Sequence, residues 1–147
     1  MHFVDAKSIL SAKNGMNIYR GCTHGCIYCD SRSDCYNMRH DFEDVEVKRN
    51  APELLEKALA SKRRLCMIGT GAMSDPYMHC EEKLRLTRRC LEVIDRHSFG
   101  VTVLTKSDMI LRDADLLCSI NSKAKAVVQM TLTTYDEDLC RILEPNV

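Results

Sequence analysis

Apolar positions along the chain fall into short runs that alternate with amphipathic stretches, and each run predicts an element. Gly15-Met16-Asn17-Ile18-Tyr19-Arg20 alternates in polarity and predicts a strand. Asn50-Ala51-Pro52-Glu53 has the form of a helix start, with a capping residue, proline in the first turn and a glutamate placed to reach back. That helix is expected to run to about Arg64 and to bury Leu54, Leu55, Ala58 and Leu59. Leu65-Cys66-Met67-Ile68 predicts a short buried strand ending in Gly69-Thr70-Gly71. From Cys80 to His97, Leu84, Thr87, Leu91 and Ile94 form one stripe at helical spacing. Glu81 and Glu82 at the start and Arg96 and His97 at the end suit the helix dipole.

Beyond Gly100, Val101-Thr102-Val103-Leu104-Thr105 is β-branched and predicts a strand. Ser107 or Asp108 is expected to cap a helix with Ile110, Leu111, Ala114 and Leu117 inward. Ala126 to Leu132 predicts the next strand, and Thr134-Tyr135-Asp136-Glu137 has the capping-box pattern opening a helix to about Leu143. No repeat, linker or low-complexity run interrupts the series, so residues 1–147 are read as one domain. Apolar strands alternating with helices imply an α/β fold with a parallel sheet covered by helices. About four βα units are counted, with strands ending near Arg20, Ile68, Thr105 and Leu132. In βα barrels chemistry gathers at the C-terminal ends of strands. The polar segments Gly21–Asp30, Gly69–Tyr77, Thr105-Lys106-Ser107 and Thr131–Thr134 all lie at such ends.

Composition adds mainly exclusions. Lys plus Arg is 21 and Asp plus Glu is 21, so the formal net charge is zero and gives no global case for nucleic acid. Lys62-Arg63-Arg64 is expected in the last turn of a helix, and Arg85, Arg88 and Arg89 on a solvated face. Asp5 and Lys7 interrupt the N-terminus before any apolar run, and no stretch approaches the roughly 18 apolar residues of a membrane span. The expectation is a cytoplasmic chain with reduced thiols and no membrane partner.

Nine cysteines are present, and three stand out: Cys22, Cys26 and Cys29, spaced C-x3-C-x2-C directly after a predicted strand. Three thiolates on one loop can hold three irons of a cubane and leave the fourth open to a small molecule. Zinc is the competing reading, with the tetrahedron completed by His24, Cys35 or His40. Structural zinc usually shows a second separated ligand pair, and none is seen here. Cys66, Cys90, Cys118 and Cys140 lie among apolar residues and are expected to be core filler. Cys35 and Cys80 are left open.

The cysteine loop, with Tyr28 before the third cysteine, resembles the signature of the radical S-adenosylmethionine (radical SAM) enzymes. Gly71-Ala72-Met73-Ser74-Asp75-Pro76-Tyr77, then Glu81 or Glu82 with Leu86-Thr87-Arg88, resembles the spore photoproduct lyase-like (DNA repair photolyase-related) branch. So do Thr105-Lys106-Ser107 with Arg112-Asp113, and Leu143-Glu144-Pro145. The resemblance covers Lys7 to Pro145 and implies the first part of a partial (βα) barrel, truncated, since such cores commonly have six βα units.

It further implies a [4Fe-4S] cluster on Cys22, Cys26 and Cys29, with S-adenosyl-L-methionine (SAM) on the open iron. The product would be a 5′-deoxyadenosyl radical that abstracts hydrogen from an unknown substrate. Tyr28 would pack near the adenine, Gly69, Thr70, Gly71 and Ser74 near the methionine moiety, Lys106 would pair with the cofactor carboxylate, and Thr131 and Thr133 would face the ribose. An electron donor such as flavodoxin or ferredoxin is implied. Met73 stands where the lyases carry a hydrogen-donating cysteine, which argues against thymine-dimer repair by that route. Two alternatives are an incomplete, inactive piece of such an enzyme and a zinc-binding interaction module.

Overall fold

The computed structural model describes residues 1–147. In chain order the elements are β1 (His2–Val4), β2 (Gly15–Met16), β3 (Tyr19–Arg20), β4 (Glu46–Lys48), α1 (Ala51–Ser61), β5 (Met67–Thr70), α2 (Glu81–Leu84), α3 (Leu86–Arg96), β6 (Gly100–Thr105), α4 (Ala114–Lys123), β7 (Ala126–Met130) and α5 (Glu137–Leu143). Short 3-10 turns cover Asp30–Arg32, Asp34–Tyr36 and Asp108–Asp113. The main sheet has the order β2-β5-β6-β7, and every pairing in it is parallel. This is a mixed α/β architecture consistent with part of a radical SAM-type βα fold.

A second sheet, β1-β4-β3, was not foreseen from the sequence. The run 15–20, expected as one strand, is divided between the sheets. Gly15–Met16 pairs with Gly69–Thr70, while Tyr19–Arg20 runs antiparallel to Val47 and Glu46. The chain changes sheet at Asn17-Ile18, where both carbonyls are taken by Lys48, one by its backbone N–H at 3.1 Å and one by its Nζ at 2.8 Å. Three-residue strands carry too little periodicity to be read from a sequence.

Other boundaries also move. The expected strand 65–68 starts at Met67 and reaches Thr70, leaving Leu65 exposed. The helix expected over 80–97 is broken at Arg85, which adopts φ +50. Glu81 supplies the reason: its carboxylate accepts the otherwise free N–H groups of Thr87 and Arg88, capping α3 from within the preceding turn. Residues 108–113 form a 3-10 turn, so Leu111 and Ala114 face outward while Ile110 and Asp113 are buried, because side chains three apart eclipse in that geometry. Asp136, not Thr134, caps α5, accepting from Leu139 N at 2.9 Å.

One core cluster of 23 buried residues joins the strands to α1, α3 and α4. Leu55, Leu59, Leu91, Ile94, Leu117 and Ile120 face it from the helices, and Ile68, Val101 and Val103 from the strands. Cys90 fits the core-filler expectation, but Cys118 is exposed, on the outer face of α4. Lys62-Arg63-Arg64 follow the end of α1 rather than forming its last turn. Arg88 and Arg89 are paired within the chain, to Asp113, Asp115 and Glu53, and not simply solvated. No helix is long and apolar enough to cross a membrane.

Candidate metal and cofactor site

The C-terminal ends of β5 and β6, the segment after β7 and the cysteine loop after β3 open onto one cavity of about 230 Å³. Cys22, Cys26 and Cys29 all line it, together with His24, Tyr28, Gly71, Met73, Ser74, Asp75, Lys106 and Thr131. The loop is held from two distant segments. On one side Cys22 N donates to Phe42 O at 3.1 Å, and Gly21, at φ +91, sits so close that a Cβ would lie 2.3 Å from the same carbonyl. On the other side Ile27 N donates to Leu143 O at 3.0 Å, Asn146 N to His24 O at 3.2 Å, and Asn146 Nδ2 to Thr23 O at 3.2 Å.

All nine cysteines are free thiols. Burial pushes the thiols of Cys22 and Cys26 up, the latter opposed by nearby Lys106. Metal loading would therefore have to release protons from this loop. Two buried polar atoms beside the thiols lack any partner, His24 Nδ1 and Ser74 Oγ. His24 Nδ1 is 3.6 Å from Asp75 Oδ2, too far for a hydrogen bond, and burial pushes its pKa down. Three soft ligands on one loop and orphaned polar atoms in the same cavity suit an iron–sulfur cluster carrying a polar ligand. Of the other zinc ligands considered, neither Cys35 nor His40 lines the cavity.

Asp75 organises the opposite wall. Its Oδ1 accepts from Tyr77 N at 2.8 Å, an Asx turn of the kind Asp-Pro favours, and from Thr105 Oγ1 at 2.7 Å. Its Oδ2 accepts from Lys106 N at 2.8 Å. This one carboxylate fixes the ends of β5 and β6 relative to each other. Gly71 does the same by contact: at φ +100, a Cβ there would lie 1.9 Å from Leu104 O. Its small size serves strand packing, and the residue also lines the cavity. Gly69 and Thr70, expected in the site, lie within β5 and do not line the cavity, because β5 extends two residues further than expected.

At the rim, Lys106 Nζ donates to Glu144 Oε1 and to Tyr28 OH, both at 2.6 Å. Tyr28 OH and Thr133 Oγ1 also donate to Glu144 Oε1, the latter at 2.7 Å. Burial of Glu144 disfavours its charge, yet these hydrogen bonds hold its carboxyl down to about 2. Thr133 thus belongs to this rim network, while Thr131 lines the cavity itself. The Lys106 ammonium has three donors, and Glu144 and Tyr28 use two. The Glu144 contact was not foreseen, since 38 residues separate the partners.

Residues 16–147 match the radical SAM superfamily. The chain belongs to that superfamily. An uncharacterized protein of Methanocaldococcus jannaschii is 33% identical over 144 residues, covering 97% of this chain and 52% of its own length. An uncharacterized protein of Mycobacterium tuberculosis is 28% identical over 137 residues, covering 88% of this chain and 40% of its own. A Mycobacterium bovis relative matches to the same extent. The chain therefore spans about half the length or less of these relatives. No solved structure matches it at a significant level.

Other residues singled out by resemblance are scaffold. Glu81, Arg112 and Asp113 form a buried charge network with Arg88, Tyr19 and Tyr77, away from the cavity. Glu82 does not line the cavity either.

Proposed function

We propose that this radical SAM domain binds a [4Fe-4S] cluster through Cys22, Cys26 and Cys29, with SAM beside it. The convergence of those thiols with the unpartnered Ser74 Oγ in one cavity carries the reading. When bound, these groups supply reductive cleavage of a sulfonium to a 5′-deoxyadenosyl radical. Ser74 offers its hydroxyl to the cofactor, Lys106 offers its third N–H to the carboxylate, and Thr131 lines the ribose side. Tyr28 and Thr133 keep Glu144 in place, and Glu144 in turn orients Lys106.

The branch we favour is the spore photoproduct lyase-like one, on the Ser74, Lys106 and Glu144 motifs, with the chemistry taking place in the cytoplasm and an electron arriving from a donor such as flavodoxin or ferredoxin. Thiol-mediated repair of a thymine dimer is not supported. Met73 lines the cavity and accepts from Asn17 Nδ2 at 3.4 Å, but has no S–H to give. Cys80 and Cys35 do not reach the cavity, and burial raises the Cys80 thiol to about 11.

A second reading is favoured by the uncovered edge of β7, which pairs only with β6 and leaves Val128 and Met130 exposed. In it, residues 1–147 hold the cofactors without turning over substrate. Anaerobic reconstitution with iron and sulfide, then reduction with SAM, separates these readings. Release of 5′-deoxyadenosine supports the enzyme, and cofactor binding without it supports the second reading. A colourless protein with one zinc on the three cysteines would sink both.

A further inference from the structure

The second sheet brings together a ligand set that the cysteine site does not use. β1 runs parallel to β4 in a register that pairs His2 with Glu46, so both side chains project from the same face. The segment returning from the cysteine loop adds His40, whose ring meets that of His2 edge-on at 4.9 Å. One ring nitrogen from each histidine and one Glu46 oxygen all lie within 4.8 Å of one another. His40 Nε2 is 4.0 Å from Glu46 Oε2, and this nitrogen is buried with no hydrogen-bond partner. Two imidazoles beside one carboxylate is a donor set that suits zinc and similar borderline divalent ions.

The supporting contacts favour metal over a simple His–Glu pair. His2 Nδ1 is held by Asp44 Oδ2 at 2.9 Å, and His40 Nδ1 by Asp41 O at 3.0 Å. Metal-binding histidines usually have one ring nitrogen fixed by a carboxylate or carbonyl in this way, which orients the other toward the ion. Here both rings are so fixed, leaving their Nε2 atoms free of hydrogen bonds. Ligand atoms around a tetrahedral zinc lie about 3.3 Å apart, given bonds of about 2.0–2.1 Å. The half-exposed His2 ring and the end of Glu46 have room to close the difference.

We propose that His2, His40 and Glu46 form a second metal site, for a zinc-class divalent cation, with water in the fourth position. It would pin the segment following the cysteine loop to the N-terminal strand. Through the Arg32–Glu43 ion pair at 2.5 Å and the Arg32 guanidinium over the Phe42 ring, that segment already packs on the turns after Cys29. The site is independent of what the three cysteines bind.

The test is an anaerobic zinc titration of iron–sulfur-reconstituted protein, in which the loop thiols are occupied, followed by calorimetry and metal analysis. One equivalent of zinc is expected above the iron, with affinity at least tenfold weaker in His40→Ala and Glu46→Gln and iron content unchanged. Cobalt bound in place of zinc should show weak nitrogen- and oxygen-ligated bands. If zinc affinity is unchanged in the variants, if none binds, or if cobalt shows thiolate charge transfer, the proposal is overturned. Should His40→Ala fail to fold, His2→Ala on the short outer strand decides by the same readout.

Discussion

Glu81 offers the sharpest test of how this scaffold is built. Its side chain is fully buried, and its carboxylate collects the Tyr19 hydroxyl, Thr87 N at 3.1 Å, Arg88 N at 3.4 Å and Arg112 Nη2 at 2.8 Å. Glu81→Gln keeps the shape, removes the charge and turns an NH2 toward groups that must donate. Hydrogen bonds to charged groups contribute about 1.5–3 kcal/mol each. Arg112 retains Asp113 at 2.8 Å, which limits the damage. The net loss should be about 3 kcal/mol, at the lower edge of the roughly 3–5 kcal/mol seen when one partner of a buried pair is removed. For a chain of this size that corresponds to a fall in Tm of about 6–12 °C, measurable by circular dichroism. Adding Arg112→Met should recover part of the loss, because the cation left half-paired is then gone. A fall below about 2 °C, or fully additive losses, would refute the claim that this network holds α2, α3 and the turn before α4 together.

Four further outcomes are expected. Cys26→Ala should abolish cluster loading, since the loop offers three thiols and no neighbouring cysteine reaches the cavity; iron analysis after reconstitution checks it. Lys106→Ala should leave iron in place and weaken SAM binding by about tenfold or more, the loss of roughly one charge-assisted hydrogen bond, as read by equilibrium dialysis. Gly71→Ala should cost at least about 2 kcal/mol, from backbone strain and the clash with Leu104 O, and lower Tm accordingly. Asp113 is opposed by burial but held below the usual carboxylate range by Arg112, Arg88 and Tyr77, so its contribution is present at neutral pH and is lost as pH falls below about 4. Thermal stability followed from pH 6 down to 3 should fall less steeply in Asp113→Asn than in the parent chain.

Much of the main sheet was legible because β6 and the helices behind it carry long, regular patterns. Val101 to Thr105 is read directly as a strand, and the Leu84, Thr87, Leu91, Ile94 stripe as a helix. What escaped was short or set by contacts distant in the chain. β1, β3 and β4 have two or three residues each, and none shows a period by itself. The break at Arg85 depends on a buried Glu81 carboxylate, which in sequence looks like an ordinary first-turn acid. Around the cavity, the cysteines and Lys106 are singled out in the sequence by type and place, but Asp75 and Glu144 are not assigned their roles. Besides nearer partners, Asp75 binds Lys106 N 31 residues away and Glu144 binds Lys106 Nζ 38 residues away, and spacing carries no record of such contacts.

That long-range dependence explains why the cysteine motif and the Leu143-Glu144-Pro145 motif occur in one chain. A loop carrying three nearby thiols has no intrinsic reason to hold one conformation, because fixing each residue costs about 1–2 kcal/mol of backbone entropy. Here Phe42 holds the start of the loop at Cys22, Asn146 holds Thr23 and His24, and Leu143 holds Ile27, while Glu144 ties Tyr28, inside the loop, to Lys106 just after β6. The fourth βα unit therefore contributes to the first unit's site through Thr131 and these contacts, without supplying a cysteine to it. Segments 21–29, 71–75, 104–106 and 131–146 are thus tied around one cavity by hydrogen bonds between units, and removing the contacts from 143–146 should loosen the cysteine loop.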